Sequence, residues 1–333
     1  MIFKRNYQLA ALLYAVPFLL CVAASPVIAQ GQLPYPKQPI KIICAFPAGG
    51  GTDITSRLLA EQLNKILGQS VIVENKTGAS GMIGTGAAAK SPPDGYTLLV
   101  ASGEMAVNPH LHKPMAYDWD KELQPITLLV KVPNVLAVNT DVPANNVREL
   151  IAYAKENPRK LTFSSSGVGN PQQLTGELFN KMAGVQIMHV PYKGAAPQIA
   201  DVVGKHITMT FVSIGAALPF IESNRLRPLG VTSSTRVSAL PNVPAISEHP
   251  ALAGFELVNF FGFYAPAGIA DPILRRLNTA AVLALKQPEV INRLRGLGFE
   301  PAPSTPEQFR EFIRTESAKF AKIIVEANVK LEN

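Results

Sequence analysis

Cysteine is scarce in this chain. Its 333 residues include two, Cys21 and Cys44, and Cys21 falls in an apolar N-terminal stretch that reads as a removable leader. One thiol then remains, so no intramolecular disulfide is possible. An exported chain of this kind rests on its core and on any ligand it holds. Cys44 lies in the apolar run Ile42-Ile43-Cys44-Ala45-Phe46 and reads as a small buried hydrophobe rather than a nucleophile. Basic runs are also missing. The net charge of +7 is spread out without aromatic–basic interleaving, which argues against nucleic acid.

Enzyme signatures are incomplete in the same way. Gly51-Thr52-Asp53 lacks the Lys-Ser/Thr that comes after the last glycine of a P-loop. Gly84-Thr85-Gly86 follows a loop rather than a strand, so it does not make a dinucleotide fingerprint. Gly78-Ala79-Ser80-Gly81-Met82 breaks G-x-S-x-G at its last position. His110 and His112 stand two apart in a segment, 105–125, that reads as loop. No carboxylate–histidine pattern completes a metal site there. His189, at a strand end, would need a nucleophile and an orienting carboxylate to act as a base, and reads as structural. No catalytic residue, metal or cofactor is expected.

The chain opens with Lys4 and Arg5, an apolar stretch from about Leu9 to Ala24, and the small-x-small pattern Val27-Ile28-Ala29. This is the layout of a secretory signal peptide over residues 1–29. The stretch contains Pro17 and is shorter than the roughly 20 residues a membrane span needs. Phe18-Leu19-Leu20 lacks the small residue that a lipoprotein site at Cys21 requires. Residues 30–333 remain, a length that fits two domains of roughly 150 residues.

The segment 41–55, KIICAFPAGGGTDIT, organises the rest of the chain. It reads as a buried strand stopped by Pro47, a turn at Gly49, Gly50 and Gly51, and a helix start. Thr52 is placed to cap that helix with its hydroxyl, and Asp53 to sit against its dipole. Ile54, Leu58, Leu59, Leu63, Ile66 and Leu67 recur at helical spacing. Further strands at 71–73 and 96–100 lead into glycine-containing loops, NKTGASGMIGTG and Ala101-Ser102-Gly103. Ile126–Val130 and Val135–Asn139, split by Pro133-Asn134, suit a crossing between domains. From Val147 the architecture repeats, with a strand at 161–164, the turn SSSGVGNP and a helix through Leu174, Leu178, Phe179 and Met182. Strands at 186–190, 207–212 and 226–232 and a helix at 195–204 complete that unit. Phe255–Tyr264 suits a second crossing, and helices come after it at 273–286, 288–297 and 306–330.

Two such units joined by two crossings imply a cleft with helix N-termini across from one another. Each terminus carries about half a positive charge and unpaired N–H groups. A small dicarboxylate or amino acid can be held there by backbone N–H groups and hydroxyls, with Thr52, Ser102, Ser165, Ser166 and Asn170 as the polar side chains.

The segments YPKQPIKIICAFPAGGGTDITSRLLAEQL, VIVENKTGASGMIGTGAAAKSPPDGYTLLV, LTFSSSGVGNPQQLTGELF, HVPYKGAAPQIADVVG, ALPFIESNRLRPLGVTSSTRVSALPNVPAISE and FGFYAPAG resemble, in order, the Bug family, also called TctC-like proteins. These are extracytoplasmic solute-binding proteins of tripartite tricarboxylate transporters. The resemblance implies an α/β fold of the periplasmic binding protein type (type II, Venus flytrap), with two α/β lobes, a cleft and two crossover strands. Residues 30–131 plus 255–333 would form lobe 1 and 132–254 lobe 2. Ligand carboxylates would be held by backbone amides and bound water rather than salt bridges. By position, Phe46, Pro47, Gly49, Gly50, Gly51, Thr52 and Asp53, with Ala79, Ser80 and Ser102, would line one wall. Ser165, Ser166, Gly167, Gly169 and Asn170 would line the other, with Tyr192 and Lys193 nearby.

Family members often carry a polar or acidic residue at the end of the strand Met209–Val212. Here Val212 is followed by Ser213, which favours a carboxylic acid without an amine. The resemblance also implies a periplasmic monomer with membrane transporter subunits as partners. A sensor that presents ligand to a membrane receptor, or a secreted α/β enzyme, are the alternatives.

Overall fold

The chain first alternates strand and helix: β1 (Ile40–Cys44), α1 (Gly51–Leu67), β2 (Val71–Asn75), α2 (Met82–Ala89), β3 (Thr97–Ser102), α3 (Glu104–Leu111), α4 (Trp119–Glu122) and β4 (Leu123–Val132). A second series comes next: β5 (Asn134–Asn139), α5 (Val147–Glu156), β6 (Thr162–Ser165), α6 (Pro171–Ala183), β7 (Met188–Pro191), α7 (Ala195–Val203), β8 (Met209–Ser213), α8 (Ile214–Glu222) and β9 (Leu226–Val231). The chain ends with β10 (Asn259–Pro266), α9 (Asp271–Leu285), α10 (Pro288–Gly296), β11 (Glu300–Pro301) and α11 (Pro306–Glu326). This computed structural model describes residues 35–330; the leader expected over 1–29, including Cys21, lies outside the described residues.

Two sheets result, ordered β11-β4-β10-β3-β1-β2 and β7-β6-β8-β5-β9. They share a plan. In the first, β1 pairs in parallel with β2 and β3, and β10 inserts antiparallel between β3 and β4. In the second, β6 pairs in parallel with β7 and β8, and β5 inserts antiparallel between β8 and β9. The antiparallel strand of each sheet arrives from the other sheet. Pro133 alone separates β4 from β5, and the 232–258 segment joins β9 to β10. Both expected crossings are therefore present.

Asn259 of β10 pairs with Val132 at the end of β4, and Asn134 at the start of β5 pairs with Ser213 at the end of β8. The C-terminal ends of β1–β3 and of β6–β8 consequently lie on facing edges.

Strand periodicity builds the layers. Leu136 and Val138 of β5 enter one apolar cluster with Phe163, Phe179 and Phe211. Val135 and Ala137, one residue out of phase, enter the cluster on the opposite face with Ile199, Val212 and Ile214, as the alternation of side chains along a strand requires. In the first lobe Ile43, Leu99, Tyr264, Phe309 and Phe320 share a cluster that also takes in Leu174 of α6. α11 packs on α3 and β4 and also reaches α6, so this seam joins the lobes on one face. On another surface the backbones nearly touch. A Cβ on Gly215 would lie 2.3 Å from the Leu297 carbonyl oxygen, and one on Gly298 2.7 Å from Ile214 Cβ.

Two elements depart from the sequence reading. The segment 105–125 is not a loop: α3 and α4 occupy much of it, and β4 begins at Leu123. Pro109 sits inside α3, and the helix persists because Met105, Ala106 and Val107 are buried in the first-lobe cluster. The second is α8, a helix that the sequence pattern does not mark. It contains Pro219, with Ile214 and Ala217 buried against the second sheet.

Candidate functional site

Six strand-to-helix junctions stand on the facing edges. Five of their helices start without a side-chain cap, at Gly50, Gly81, Gly103, Gly194 and Ser213; the sixth, α6, is capped by Asn170. An uncapped helix start leaves N–H donors without an intrahelical acceptor, together with the positive end of the dipole. The expectation that Thr52 caps α1 is corrected here. The helix begins one residue earlier than Thr52, at Gly51, so Thr52 stands inside its first turn and its carbonyl accepts from the Ser56 hydroxyl.

The first wall is tied together by its own side chains. Phe46 turns its ring onto Gly81, and its carbonyl accepts from Asn75. Pro47, Gly49 and Gly50 are exposed, Gly51 is half-buried and Thr52 is buried. Asp53 is 3% exposed. Its Oδ2 accepts from the Gly49 N–H at 2.9 Å and from Arg57 Nε at 3.0 Å, and its Oδ1 accepts from Asn75 at 2.8 Å. Burial alone would raise the Asp53 pKa. The Arg57, Gly49 and Asn75 bonds outweigh burial and hold the carboxyl below its ordinary value. Asp53 thus holds the turn, and its lone pairs are committed within the protein.

Ala79 and Ser80 carry φ of 47° and 50°, a left-handed conformation that non-glycine residues seldom adopt. Both side chains are exposed, and the Ser80 carbonyl is held by Asn108 at 3.0 Å. Ser102 is 3% exposed at the end of β3.

In the second wall several of the groups expected to meet the ligand also hydrogen-bond within the loops. Ser165 is fully buried; its hydroxyl donates to the Gly167 carbonyl at 2.7 Å and lies 2.7 Å from His189 Nε2. Asn170 accepts from the Gln173 N–H and donates to Ser166 Oγ at 2.8 Å. Gly169, with φ of 72°, donates to Gln173. The adjacent loop is stitched on by Tyr192 N–H to the Ser165 carbonyl and Gly194 N–H to the Ser166 carbonyl. Tyr192 donates its hydroxyl to Asp201 at 2.5 Å, and burial with that carboxylate pushes its pKa up to about 12. Lys193 is exposed, and Ser213 is half-buried at the start of α8.

The sequence reading does not single out the residues that hold these loops: Arg57, Asn75, Asn108, Gln172 and Gln173. Each is polar and lies four or more residues from the group it holds, so no local motif marks it.

The Ser165–His189 pair bears on the enzyme alternative, since it supplies the nucleophile contact that His189 would need to act as a base. The His189 ring lies 5.0 Å from the Phe163 ring, and burial pushes its pKa down to about 4. A base that weak is poorly matched to neutral pH. The pair is a buried neutral hydrogen bond. Between pH 6.5 and 4 the unfolded chain protonates this histidine and the folded chain does not, so stability falls as pH drops through that window. Replacing His189 with Asn should flatten the fall by on the order of 1–2 kcal/mol after solvent screening. Melting temperature measured from pH 7 to 4 checks this.

The model of the family described as "Tripartite tricarboxylate transporter family receptor" matches residues 55–329. Protein BugT of Bordetella pertussis is 36% identical over 313 residues, covering 93% of this chain and 94% of that protein. Among solved structures, Rpa4515 of R. palustris with adipate is 33% identical with a TM-score of 0.79, covering 89% of this chain and 99% of that one. MatC (Rpa3494) from Rhodopseudomonas palustris, with bound malate, is 27% identical with a TM-score of 0.74, covering 87% and 100%.

Proposed function

Because the chain belongs to the tripartite tricarboxylate transporter receptor family, with the two-lobe α/β fold of its periplasmic relatives, we propose that it captures a small carboxylic acid between its lobes. It does so in the periplasm, as a monomer, and delivers the acid to the membrane subunits of a tripartite tricarboxylate-type transporter. The observation that carries this reading is the set of five uncapped helix starts on the facing edges. Such termini suit carboxylates, and adipate and malate in the related structures are acids of this size.

A ligand touching both walls stabilises the closed arrangement through contacts the open one lacks. The groups we assign to it are the exposed Pro47–Gly50 turn, Thr52, Ser80 and Ser102 on one side and Ser166, Lys193 and Ser213 on the other. Phe46, Asp53, Ser165, Gly167, Gly169, Asn170 and Tyr192 shape the walls. No catalytic step is assigned.

A thermal-shift screen of the exported protein against dicarboxylic, tricarboxylic and aromatic acids and amino acids tests the reading. A ligand at about 100 times its Kd stabilises the native state by about 2.7 kcal/mol. Thr52→Val and Ser102→Ala should each weaken the hit about tenfold, the worth of one hydrogen bond, and leave the unliganded melting temperature nearly unchanged. Wild-type affinity in both variants would move the site elsewhere.

A further inference from the structure

Glu104 is the first residue of α3, two positions beyond the end of β3. The residue is half-buried, and its Oε2 is buried without a hydrogen-bond partner. It stands at the start of a helix whose N-cap, Gly103, offers no side-chain cap. Tyr264 Oη, in the same lobe, is likewise buried without a partner, whereas the buried Tyr117 hydroxyl lies beside Asn108 and Thr85. Tyr264 points back along β10, so that a Cβ on Gly262 would lie 2.6 Å from its hydroxyl. Tyr117 is electrostatically coupled both to Glu104 and to Tyr264. Glu104 Oε2 is thus a buried carboxyl oxygen without a partner, at the edge of the lobe where β3 ends.

The charges around Glu104 leave it without a counter-ion among the described residues. On α3 itself His110 bonds Ser317, and burial lowers its pKa, so it is neutral. From α11, which packs on α3, Glu316 is paired with Lys319 at 2.7 Å. From the 112–118 segment and from β10 the facing groups are Tyr117 and Tyr264, both kept protonated by burial. Burial pushes the Glu104 carboxyl up to about 7. It is the member of the group whose charge changes near neutral pH.

We propose that capture of a carboxylate in the cleft is coupled to protonation of Glu104: as the anion docks at the start of α3, Glu104 takes one proton from solvent. The inference rests on the carboxylate-receptor reading above. Two like charges at one poorly hydrated helix terminus disfavour each other, so the second raises the proton affinity of the first. The balance is simple: one anion and one proton enter, and no covalent bond forms other than the O–H on Glu104. The neutral carboxyl can then donate toward a ligand or a buried oxygen, where the carboxylate only accepts. A site built from backbone N–H groups alone would bind a fully ionised acid equally well from about pH 6 to pH 9. With Glu104 coupled, affinity falls with rising pH above about 7, by up to about tenfold per unit.

Calorimetric titration of the exported protein with adipate, malate, citrate, benzoate and glutamate, in buffers of different ionisation enthalpy, reads the proton directly. The expected result is uptake of roughly half a proton per ligand at about pH 7, rising toward one at about pH 8. In Glu104→Gln the expected result is retained binding, no uptake and an affinity independent of pH. Binding without uptake, or uptake unchanged in Glu104→Gln, overturns the coupling and leaves the carboxylate reading standing. Failure of every acid to bind overturns the reading itself. If Glu104→Gln does not fold, Glu104→Ala serves the same comparison, and proton uptake equal to wild type in that variant overturns the coupling.

Discussion

Gly84→Ala is expected to lower the unfolding free energy by on the order of 3 kcal/mol and to abolish ligand capture. Gly84 lies in the first turn of α2, where a Cβ would stand 2.4 Å from the Lys76 carbonyl oxygen and 2.9 Å from Ala45 Cα. Both neighbours are backbone, so no rotamer change relieves the clash, and overpacking of this kind typically costs about 1–3 kcal/mol. Relief requires the 76–83 segment to move away from the end of β1. That separates the Ala79–Ser80 turn from Phe46, whose ring rests on Gly81. Gly86→Ala, two residues along the same helix, is the control. Its Cβ would meet only Tyr117 Cδ1, at 3.7 Å, an ordinary contact, and alanine in a helix interior gains about 0.5–1 kcal/mol over glycine. The two variants should therefore differ in sign. Denaturant midpoints and binding titrations measure both effects, and equal stability of the two would overturn the steric argument.

Asp53→Ala is expected to cost on the order of 2–3 kcal/mol and at least about tenfold in ligand affinity. The substitution leaves the Gly49 N–H, the Asn75 amide and the Arg57 guanidinium without their shared acceptor. Losing a buried charged acceptor is costly, although Arg57 is half exposed and water recovers part of the loss. The larger consequence is for the turn before α1, which is anchored at Gly49 by this carboxylate. The pH dependence is set by the depressed pKa of Asp53. Its stabilisation is complete above the unfolded value near 4 and is lost as pH falls through the lower folded value. The acid limb of the stability curve should flatten in Asp53→Ala. Asp53→Asn preserves shape but turns an amide N–H₂ toward donors, so it should fall between wild type and alanine. Wild-type affinity in Asp53→Ala would show that the turn holds without its anchor.

Much of the fold is legible from the chain because its signals are local. The apolar run ended by Pro47, the glycine turn and the helical recurrence of Leu58, Leu59 and Leu63 produce β1 and α1 as expected. Pro133 between two extended runs marks the first crossing. α3 and α8 are hidden for an equally local reason. Pro109 and Pro219 lower the helical signal, and those helices exist because burial of Met105, Val107, Ile214 and Ala217 outweighs it.

The walls of the candidate site divide along the same line. The glycine-marked strand-to-helix junctions at Gly50 and Gly194 are written in the amino-acid order alone, since an uncapped helix start depends on residues adjacent in the chain. Which polar groups face a ligand is instead a matter of packing between distant segments. Asp53 is engaged by Asn75, Ser165 stands against His189, and Tyr192 is bound to Asp201. A hydroxyl or carboxylate reads the same whether free or bonded until its distant partner is placed. Glu104 escapes notice in the sequence for the same reason, because an acidic residue at a helix start is ordinary. Its proton affinity is set by burial, and burial is a property of the packed molecule rather than of the residue.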